Sequence, residues 1–299
     1  MLTDDAPSTE AEPRTVDFTD QQIHRYARHI LLSDIGGHGQ ARLMGARVLV
    51  VGAGGLGSPL LLYLAAAGVG TIGIIDDDVV DLSNLQRQVV HATDRVGTAK
   101  VESARQALID VNPEIDVVTY NERITPANAH EIISQYDVVA DGCDNFPTRF
   151  LVNDACYFAR KPLVSGAILR FDGQLTTFKA FQTDPETGAH GPCYRCLFRE
   201  PPPPGQVPTC AEAGVLGAFC GMVGSLQATE VIKEVLGIGE SMSGSLLICD
   251  ALTTTFRKIK VPADPGCPLC GTEPTLTDLT IHETGDPEDA PCPAPIISR

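Results

Sequence analysis

The spacing of apolar residues predicts alternating strands and helices over the first half of the chain. Residues 46–53 form an apolar, β-branched run that is typical of a buried parallel strand. Residues 58–70 predict a helix that ends on glycine, and residues 71–78 predict the next strand, which ends in carboxylates. Residues 98–113 have helical spacing and a terminal proline. This alternation indicates βαβ units in a doubly wound sheet.

Two more strands are predicted at 116–121 and 137–145, with a short helix over 126–134 between them. Near the start of the chain, residues 19–22 resemble a capping box. We expect a helix to follow it. The buried stripe of that helix would hold Ile23, Tyr26, Ile30 and Leu31.

The second half of the chain has a different pattern. Residues 162–180 predict a strand and then a hairpin at Asp172-Gly173, and residues 243–261 predict another strand pair. A long apolar helix is predicted over 211–236, beginning just after Cys210. We therefore expect an α/β, Rossmann-like, doubly wound mixed sheet that is parallel in its first half and antiparallel in its second.

Composition divides the 299 residues into one folded unit and two tails. We expect a disordered acidic tail at 1–17, a single domain at 18–271, and a flexible tail rich in proline and acid at 272–299. The net charge of −16 argues against nucleic-acid binding. No long apolar run predicts a membrane span, and the first residues lack a secretion signal. A cytoplasmic protein is expected.

A glycine-rich loop follows the first predicted strand. Gly52, Gly54 and Gly57 form G-x-G-x-x-G, with Gly55 between them. Such glycines permit a tight turn, close approach of a phosphate, and close packing of helix on strand. Asp76 ends the next strand, where a carboxylate can hold ribose hydroxyls. Alone, this pattern indicates a nucleotide and favours NAD.

Polar and cationic residues just beyond that carboxylate favour a triphosphate instead. The candidates are Asn84, Arg87, Gln88 and Lys100. Asp78, close to Asp76, is a further candidate for binding the nucleotide. A triphosphate needs several positive groups and a cation, whereas nicotinamide needs a flat apolar slot. Taken singly, Arg87 and Lys100 could be ordinary surface charges.

A second acidic position lies in DGCDN, residues 141–145. Asp144 could bind Mg²⁺ beside the phosphates. Alternatively, Asp144 or Asn145 could cap a helix over 146–158.

Two C-x-x-C pairs predict a metal site. Cys193 with Cys196, and Cys267 with Cys270, supply four thiolates, which suit tetrahedral zinc better than a redox dithiol or an iron–sulfur cluster. A closed four-thiolate site leaves no position for substrate, so its role should be structural.

Cys210 lies in a proline-rich loop before the predicted long helix. A helix N-terminus would favour its thiolate, which could capture an acyl group. The alternative is a buried or capping cysteine. Four other cysteines are expected in the core: Cys143, Cys156, Cys220 and Cys249. The seven histidines are interpreted as structural or solvated: His24, His29, His38, His91, His130, His190 and His282.

Nine motifs occur in the order found in the ubiquitin-activating-like adenylyltransferases. They are RYARHI, GAGGLGS, DLSNLQRQ, GTAKVESAR, DGCDN, PCYRC, TCAEAGV, GSLQATEVIK and PGCPLC. Over about residues 18–271 the chain most resembles the molybdopterin-synthase and thiazole-biosynthesis adenylyltransferases.

This resemblance implies that MgATP activates the C-terminal Gly-Gly carboxylate of a small ubiquitin-like sulfur-carrier protein, for molybdopterin, thiamine or related biosynthesis. It implies that Asp76 holds ribose and that Asp144 holds Mg²⁺. The residues that it places around the phosphates are Asn84, Arg87, Gln88 and Lys100. It also implies that Arg28, in RYARHI, enters the site of a partner subunit in a homodimer. The 29 residues after Cys270 are too few for a rhodanese domain, so a separate sulfur donor is expected.

Three other functions compete with this interpretation. A nicotinamide-dependent oxidoreductase would use the glycine loop but would leave SNLQRQ, GTAK and DGCDN without a role. A non-catalytic scaffold is disfavoured because one chain carries every candidate group. A dehydratase acting on a modified tRNA base is disfavoured by the acidic charge and the paired C-x-x-C motifs.

Overall fold

A computed structural model describes residues 17–183, 188–201 and 213–283. Its eight strands, β1 to β8 in chain order, are Arg47–Val51, Thr71–Ile75, Asp116–Tyr120, Val138–Asp141, Leu163–Leu169, Asp172–Phe178, Ser245–Asp250 and Thr255–Lys260. The helices, α1 to α8, are Asp20–Ile30, Gly36–Gly45, Gly57–Ala67, Lys100–Val111, Ala129–Ser134, Phe146–Phe158, Tyr194–Leu197 and Gly217–Leu236. Short 3₁₀ helices lie at Leu82–Asn84, Thr93–Arg95 and Thr280–His282.

All eight strands form one sheet in the order β3-β2-β1-β4-β5-β6-β7-β8. The first five of these are parallel, and β5 to β8 pair antiparallel. The predicted mixed α/β sheet is therefore confirmed. The direction of the crossovers changes between β1 and β4, which is where doubly wound folds bind ligands.

Alternation along β1 explains how two helical layers cover the sheet. Val48 and Val50 belong to a core that includes α3, α4 and α8, whereas Leu49 and Val51 belong to a core that includes α5 and α6. Because successive strand side chains point to opposite faces, a continuously apolar strand must be covered on both sides. The result is a three-layer α/β/α arrangement around β1.

The hairpin between β5 and β6 does not turn at Asp172-Gly173 as predicted. Leu169 pairs with Asp172, so the turn residues are Arg170 and Phe171. Arg170 adopts the left-handed φ of 55°. Gly173 serves another purpose, because a Cβ there would lie 2.9 Å from a methyl of Val223 and 3.0 Å from the ring of Phe219 on α8. The Asp-Gly pair thus marks a close approach of α8 to the sheet.

The long helix also begins later than predicted. α8 starts at Gly217, with Leu216 as its N-cap, rather than just after Cys210. Gly214 has a φ of +74°, which interrupts the helical pattern before that point. Cys210 lies outside the described residues.

The capping box that opens α1 is confirmed, since the Thr19 hydroxyl accepts a hydrogen bond from the Gln22 N–H and the Gln22 side chain accepts one from the Thr19 N–H. The predicted stripe is only partly buried, however. Tyr26 is buried, Ile30 is half-buried, and Ile23 and Leu31 are exposed.

Residues 272–283, which the sequence analysis assigned to the tail, contact the domain. Leu276 packs beside the paired cysteines, and Leu279 packs against the core under α6. The His282 imidazole lies 2.8 Å from the Asp154 carboxylate. Contacts with the domain therefore extend past the predicted boundary at 271.

Candidate functional site

A cleft of about 240 Å³ opens at the carboxyl ends of the parallel strands. Its wall includes the last residues of β1 and β2, Val51 and Ile75, and Gly142 just after β4. The carboxyl ends of neighbouring parallel strands meet at one edge of a sheet, so the loops that follow them converge there. Most of the predicted nucleotide residues line this cleft: Gly52, Gly54, Gly55, Asp76, Asp78, Arg87, Gln88, Lys100 and Asp144.

Each glycine of the loop has its own local reason. Gly52 has a φ of +92°, which favours glycine. A Cβ on Gly57 would lie 2.0 Å from the Gly52 carbonyl oxygen, so Gly57 permits close packing at the start of α3. A Cβ on Gly54 would meet only the Gln88 amide, 3.8 Å away, so the space above Gly54 is open to a ligand. Gly57 itself lies behind the cleft wall.

Asp76 ties the end of β2 to the glycine loop. Its two carboxylate oxygens accept hydrogen bonds from the N–H groups of Ala53, at 2.8 Å, and Asp78, at 2.9 Å. Burial raises the pKa of the Asp76 carboxyl, and the nearby Lys100 ammonium opposes that rise. Each carboxylate oxygen retains a lone pair that can accept a further hydrogen bond from a hydroxyl group.

Cationic and amide groups also line the cleft. The Lys100 ammonium is buried at the first residue of α4 and lies 2.6 Å from the Asp78 carboxylate. The Arg87 guanidinium donates to the Ser83 carbonyl at 3.1 Å. The Gln88 side chain is buried, and its carbonyl oxygen has no hydrogen-bond partner among the described residues. This oxygen can only accept, so it suits a ligand group that donates, such as a hydroxyl, whereas only the amide nitrogen could donate to a phosphate.

Asn84 is placed differently from its predicted role. Its side-chain oxygen accepts from the Asp81 N–H at 3.4 Å, which caps the short 3₁₀ helix, and Asn84 is not among the residues that line the cleft. Its predicted contact with phosphate therefore stays a prediction.

Asp144 and Asn145, the two candidates in DGCDN, take different positions in the structure. The Asn145 side chain accepts from the Thr148 N–H at 2.9 Å and caps α6. Asp144 is exposed at the rim of the same cleft. The capping alternative thus belongs to Asn145. Asp144 lines the cleft, and its predicted binding of Mg²⁺ stays a prediction.

Two arginines in the cleft wall were missed by the sequence analysis. Arg149 is buried one turn into α6, and it donates to the carbonyls of Gly166, at 2.8 Å, and Cys143, at 2.6 Å. Arg123 follows β3 and lies 3.1 Å from the Asp77 carboxylate. Both could have been found from their spacing, because Arg149 is four residues after the Asn145 cap and Arg123 follows a strand that ends at the same sheet edge.

Two predicted catalytic residues are not placed in the cleft. Arg28 is exposed in the last turn of α1 and does not belong to the described cleft lining. Cys210 lies outside the described residues. Their predicted roles stay predictions.

The four paired cysteines meet although 70 residues separate the pairs in sequence. Their sulfur atoms all lie within 4.8 Å of one another, with Sγ–Sγ distances of 3.4 to 3.9 Å among the close pairs. Four thiolates about 2.3 Å from a zinc ion would be about 3.8 Å apart. The four cysteines, Cys193, Cys196, Cys267 and Cys270, therefore fit tetrahedral zinc.

A buried polar cluster joins this cysteine site to α6. Arg195 lies between Cys193 and Cys196 in sequence. Two nitrogens of its guanidinium donate hydrogen bonds to the Asp154 carboxylate, at nitrogen–oxygen distances of 2.7 to 3.0 Å. His282, from the segment after the last cysteine pair, contacts the same carboxylate. Asp154 therefore holds the cysteine site and the C-terminal segment against α6.

The other described cysteines, Cys143, Cys156, Cys220 and Cys249, are buried as predicted. Burial raises the pKa of the Cys143 and Cys156 thiols, so these thiols stay protonated. Among the described residues, no helix is both long and apolar enough to cross a membrane.

Comparison with known proteins gives consistent results. A sequence profile of the ThiF family matches residues 26–269. A sulfur carrier protein adenylyltransferase from Thermus thermophilus is 51% identical over 266 residues, which cover 89% of this chain and 97% of that protein. A probable adenylyltransferase/sulfurtransferase from Mycobacterium tuberculosis, MoeZ, is 53% identical over 263 residues. Those residues cover 88% of this chain but 64% of MoeZ, so this chain spans less than two thirds of that relative.

The fold is also found among solved structures. The crystal structure of E. coli MccB matches 83% of this chain and 73% of its own chain, with a TM-score of 0.69 and 23% sequence identity. That identity is low, so the match speaks for the fold alone.

Proposed function

Because this chain belongs to the ThiF family, we propose that it uses ATP to adenylate the C-terminal glycine carboxylate of a small ubiquitin-like sulfur-carrier protein. Adenylyl transfer is the enzyme class of the chain, as the names of relatives at 51% and 53% identity indicate. One observation carries the proposal: the glycine loop, Asp76, Arg87, Gln88 and Lys100 line a single cleft at the switch point of the sheet.

In this reaction a carboxylate oxygen of the carrier attacks the α-phosphorus of ATP. A new oxygen–phosphorus bond forms, the bond from the α-phosphorus to the bridging oxygen breaks, and pyrophosphate leaves with the bonding electrons. No proton needs to move. The main barrier is that an anion must approach an anion, so catalysis depends on positioning and on neutralising charge.

The side chains of the cleft are suited to those two tasks. Asp76 would accept the ribose hydroxyls and fix the nucleotide. Arg87 and Lys100 would offset the phosphate charge, since Lys100 keeps two ammonium N–H groups beyond its bond to Asp78. Gln88 would donate its amide N–H groups to phosphate oxygens. Asp144 would bind a Mg²⁺ ion, which supplies additional positive charge to the phosphates when bound.

The exposed apolar side chains support a homodimer. Leu31 and Leu32, at the end of α1, are 73% and 52% exposed, and Val79, Leu82, Val89 and Val96 are exposed between β2 and α4. A contiguous exposed apolar patch can mark a protein interface, whereas single exposed apolar residues are ordinary. We propose that two chains associate, and that Arg28 reaches the cleft of the partner.

The roles of zinc and sulfur are proposed as follows. The four paired cysteines would hold structural zinc and pin the chain after β8 to α7. The Cys210 thiolate would attack the acyl carbon of the acyl-adenylate, forming a thioester as the bond to AMP breaks and AMP leaves, or would take part in sulfur transfer. The activated carrier would serve molybdopterin, thiamine or related biosynthesis.

The central test is ATP–pyrophosphate exchange. Exchange should require a carrier with an intact C-terminal Gly-Gly and should stop when the last glycine is removed. A carrier lacking that glycine is the matched control, because its folded part is unchanged. Exchange that is independent of any carrier, or tight NAD binding without ATP use, would contradict the proposal.

A further inference from the structure

The imidazole of His91 is buried between the glycine loop and α4. It is 7% exposed, with Nε2 at 3.0 Å from the Ala53 carbonyl oxygen and Nδ1 at 2.9 Å from the Ser103 hydroxyl. A carbonyl oxygen can only accept, so Nε2 must carry the proton. In the neutral ring Nδ1 then accepts from Ser103. Burial, together with the charges of Lys100 and Arg95, lowers the pKa of His91 to about 4, which keeps the ring neutral near pH 7.

Ala53 is the residue of the glycine loop whose two backbone groups are both held by side chains. Its N–H donates to Asp76 at 2.8 Å, and its carbonyl accepts from His91. The Ala53–Gly54 peptide is planar and trans, so its N–H points opposite to its carbonyl. That N–H belongs to Gly54, which lines the cleft. By holding the carbonyl on one side, His91 turns the Gly54 N–H to the other.

The same residue connects the three segments that carry the nucleotide candidates. Its own N–H donates to the Gln88 carbonyl at 3.0 Å, and Gln88 lines the cleft. Ser103 lies three residues after Lys100, on the same side of α4. His91 thus links the Gly54 loop, the Arg87-Gln88 segment and the Lys100 end of α4.

We propose that His91 is a positioning residue for phosphate binding, acting as a neutral donor that aims the Gly54 N–H at a nucleotide phosphate. The proposal rests on the ATP-dependent function proposed above. It predicts a defect that depends on the phosphates of the ligand. A residue that merely stabilised the fold would not discriminate between ATP and adenosine.

The test compares the affinities of His91→Leu, His91→Gln and the unmodified protein for ATP and for adenosine by calorimetry. Leu removes the donor, whereas the Gln amide nitrogen can replace Nε2–H. His91→Leu should bind ATP about tenfold more weakly, as expected for loss of one hydrogen bond to a charged group, and adenosine within about twofold. His91→Gln should recover most of the ATP affinity. In pyrophosphate exchange, KM for ATP should rise more than kcat falls.

Asn112→Leu is the matched control. It also removes a buried side-chain donor to a backbone carbonyl, Ala65, but at the opposite end of α4. It should lower thermal stability without changing the ATP-to-adenosine ratio. If His91→Leu unfolds, Ser103→Ala takes its place, with an expected two- to fivefold loss of ATP affinity from the loss of one neutral hydrogen bond.

The outcomes separate the two proposals. Unmodified protein that neither binds ATP nor catalyses exchange overturns the proposed function. Unmodified protein that does both, with His91→Leu or Ser103→Ala weakening ATP and adenosine equally or not at all, overturns the role of His91 alone.

Discussion

At the scale of single residues, Asp144 and Asn145 show how adjacent polar side chains take different tasks. Asn145 accepts a backbone hydrogen bond of α6, whereas the exposed Asp144 faces the cleft. Asp144→Ala should therefore leave the fold intact and reduce adenylation at least a hundredfold, because an ion that offsets phosphate charge is lost. Asp94→Ala removes another exposed carboxylate outside the cleft and should change nothing. Circular dichroism and pyrophosphate exchange measure both effects, and normal exchange by Asp144→Ala removes it from the metal role.

His91 also predicts a pH dependence of stability. Its pKa is about 4 in the folded protein, against 6.5 for the ordinary side chain. The unfolded chain therefore binds more protons between these values, and stability falls as pH drops through this window. The loss from His91 is complete near pH 4 and amounts to about 3 kcal/mol. Urea unfolding of the unmodified protein should show this fall, and His91→Gln should show a smaller slope between pH 6.5 and 4. Equal slopes would contradict the assignment.

Residue-scale predictability depended on whether a side chain acts locally. The position of Gly52, Gly54 and Asp76 at the cleft could be predicted, because it follows from strands, a turn and a helix that adjoin in sequence. The contact of His91 could not be predicted, because its partner is a backbone carbonyl 38 residues away. Every residue has such a carbonyl, so no residue type in the sequence indicates this one.

At the scale of elements, two Arg–Asp pairs with the same separation predict different stabilities. Arg195–Asp154 and Arg199–Asp264 both have nitrogen–oxygen distances of 2.7 Å, but the first is buried and the second is largely exposed. Asp154→Asn should destabilise the protein by about 3 kcal/mol, because it leaves a guanidinium buried without its counter-charge. Asp264→Asn should lower the free energy of unfolding by less than about 1 kcal/mol. Similar losses in chemical denaturation would contradict this reading of burial.

The paired cysteines give a second element-scale prediction. The purified protein should contain one zinc ion per chain, and Cys267→Ser should lose it. Its Tm should fall by roughly 10 °C, since α7 and the segment after β8 are no longer joined. Cys156→Ala removes a buried thiol on α6 instead and should keep the metal. Elemental analysis measures the zinc content and calorimetry the Tm. Full zinc content in Cys267→Ser would exclude a four-cysteine site.

Element bounds were predictable where periodicity and local signals agreed. β1, β2, α3 and the β7–β8 pair follow their apolar patterns. The predicted turn at Asp172-Gly173 was wrong. Gly173 is required because a larger residue would clash with the ring of Phe219 on α8, which is far away in sequence. The start of α8 was wrong because one glycine conformation, at Gly214, interrupted an otherwise helical pattern.

At the scale of the whole molecule, the proposed homodimer can be tested with two leucines of similar exposure. Leu31 is 73% exposed at the end of α1, and Leu252 is 70% exposed between β7 and β8. Leu31→Asp should shift sedimentation from dimer to monomer, because a charge in an apolar interface is costly to bury. Leu252→Asp should remain dimeric. A monomeric unmodified protein, or equal behaviour of the two variants, would contradict the interface.

Arg28 can be tested by mixing two inactive proteins. If Arg28 acts in the partner's cleft, Arg28→Ala and Asp144→Ala chains that exchange subunits will form mixed dimers with one intact site. Random mixing should then restore roughly a quarter of the activity, since half of the dimers are mixed and each has one working site. Exchange activity is measured before and after subunit mixing. No recovery would show that Arg28 does not act across the dimer.

The class of sheet and the enzyme family could be predicted at this scale, because many ordered motifs share one chain. The surface of the proposed homodimer could not be predicted, because apolar residues such as Ile23 and Leu31 fit a buried helical stripe and an intermolecular contact equally well.

The separation of the two cysteine pairs has a consequence for synthesis on the ribosome. Cys193 and Cys196 leave the ribosome more than 70 residues before Cys267 and Cys270. Until then, the growing chain has only two of the four cysteine ligands. Two thiolates hold zinc far less firmly than four. If the four cysteines hold zinc as proposed, stable metal capture has to wait until all eight strands, the last of which ends at Lys260, have been translated.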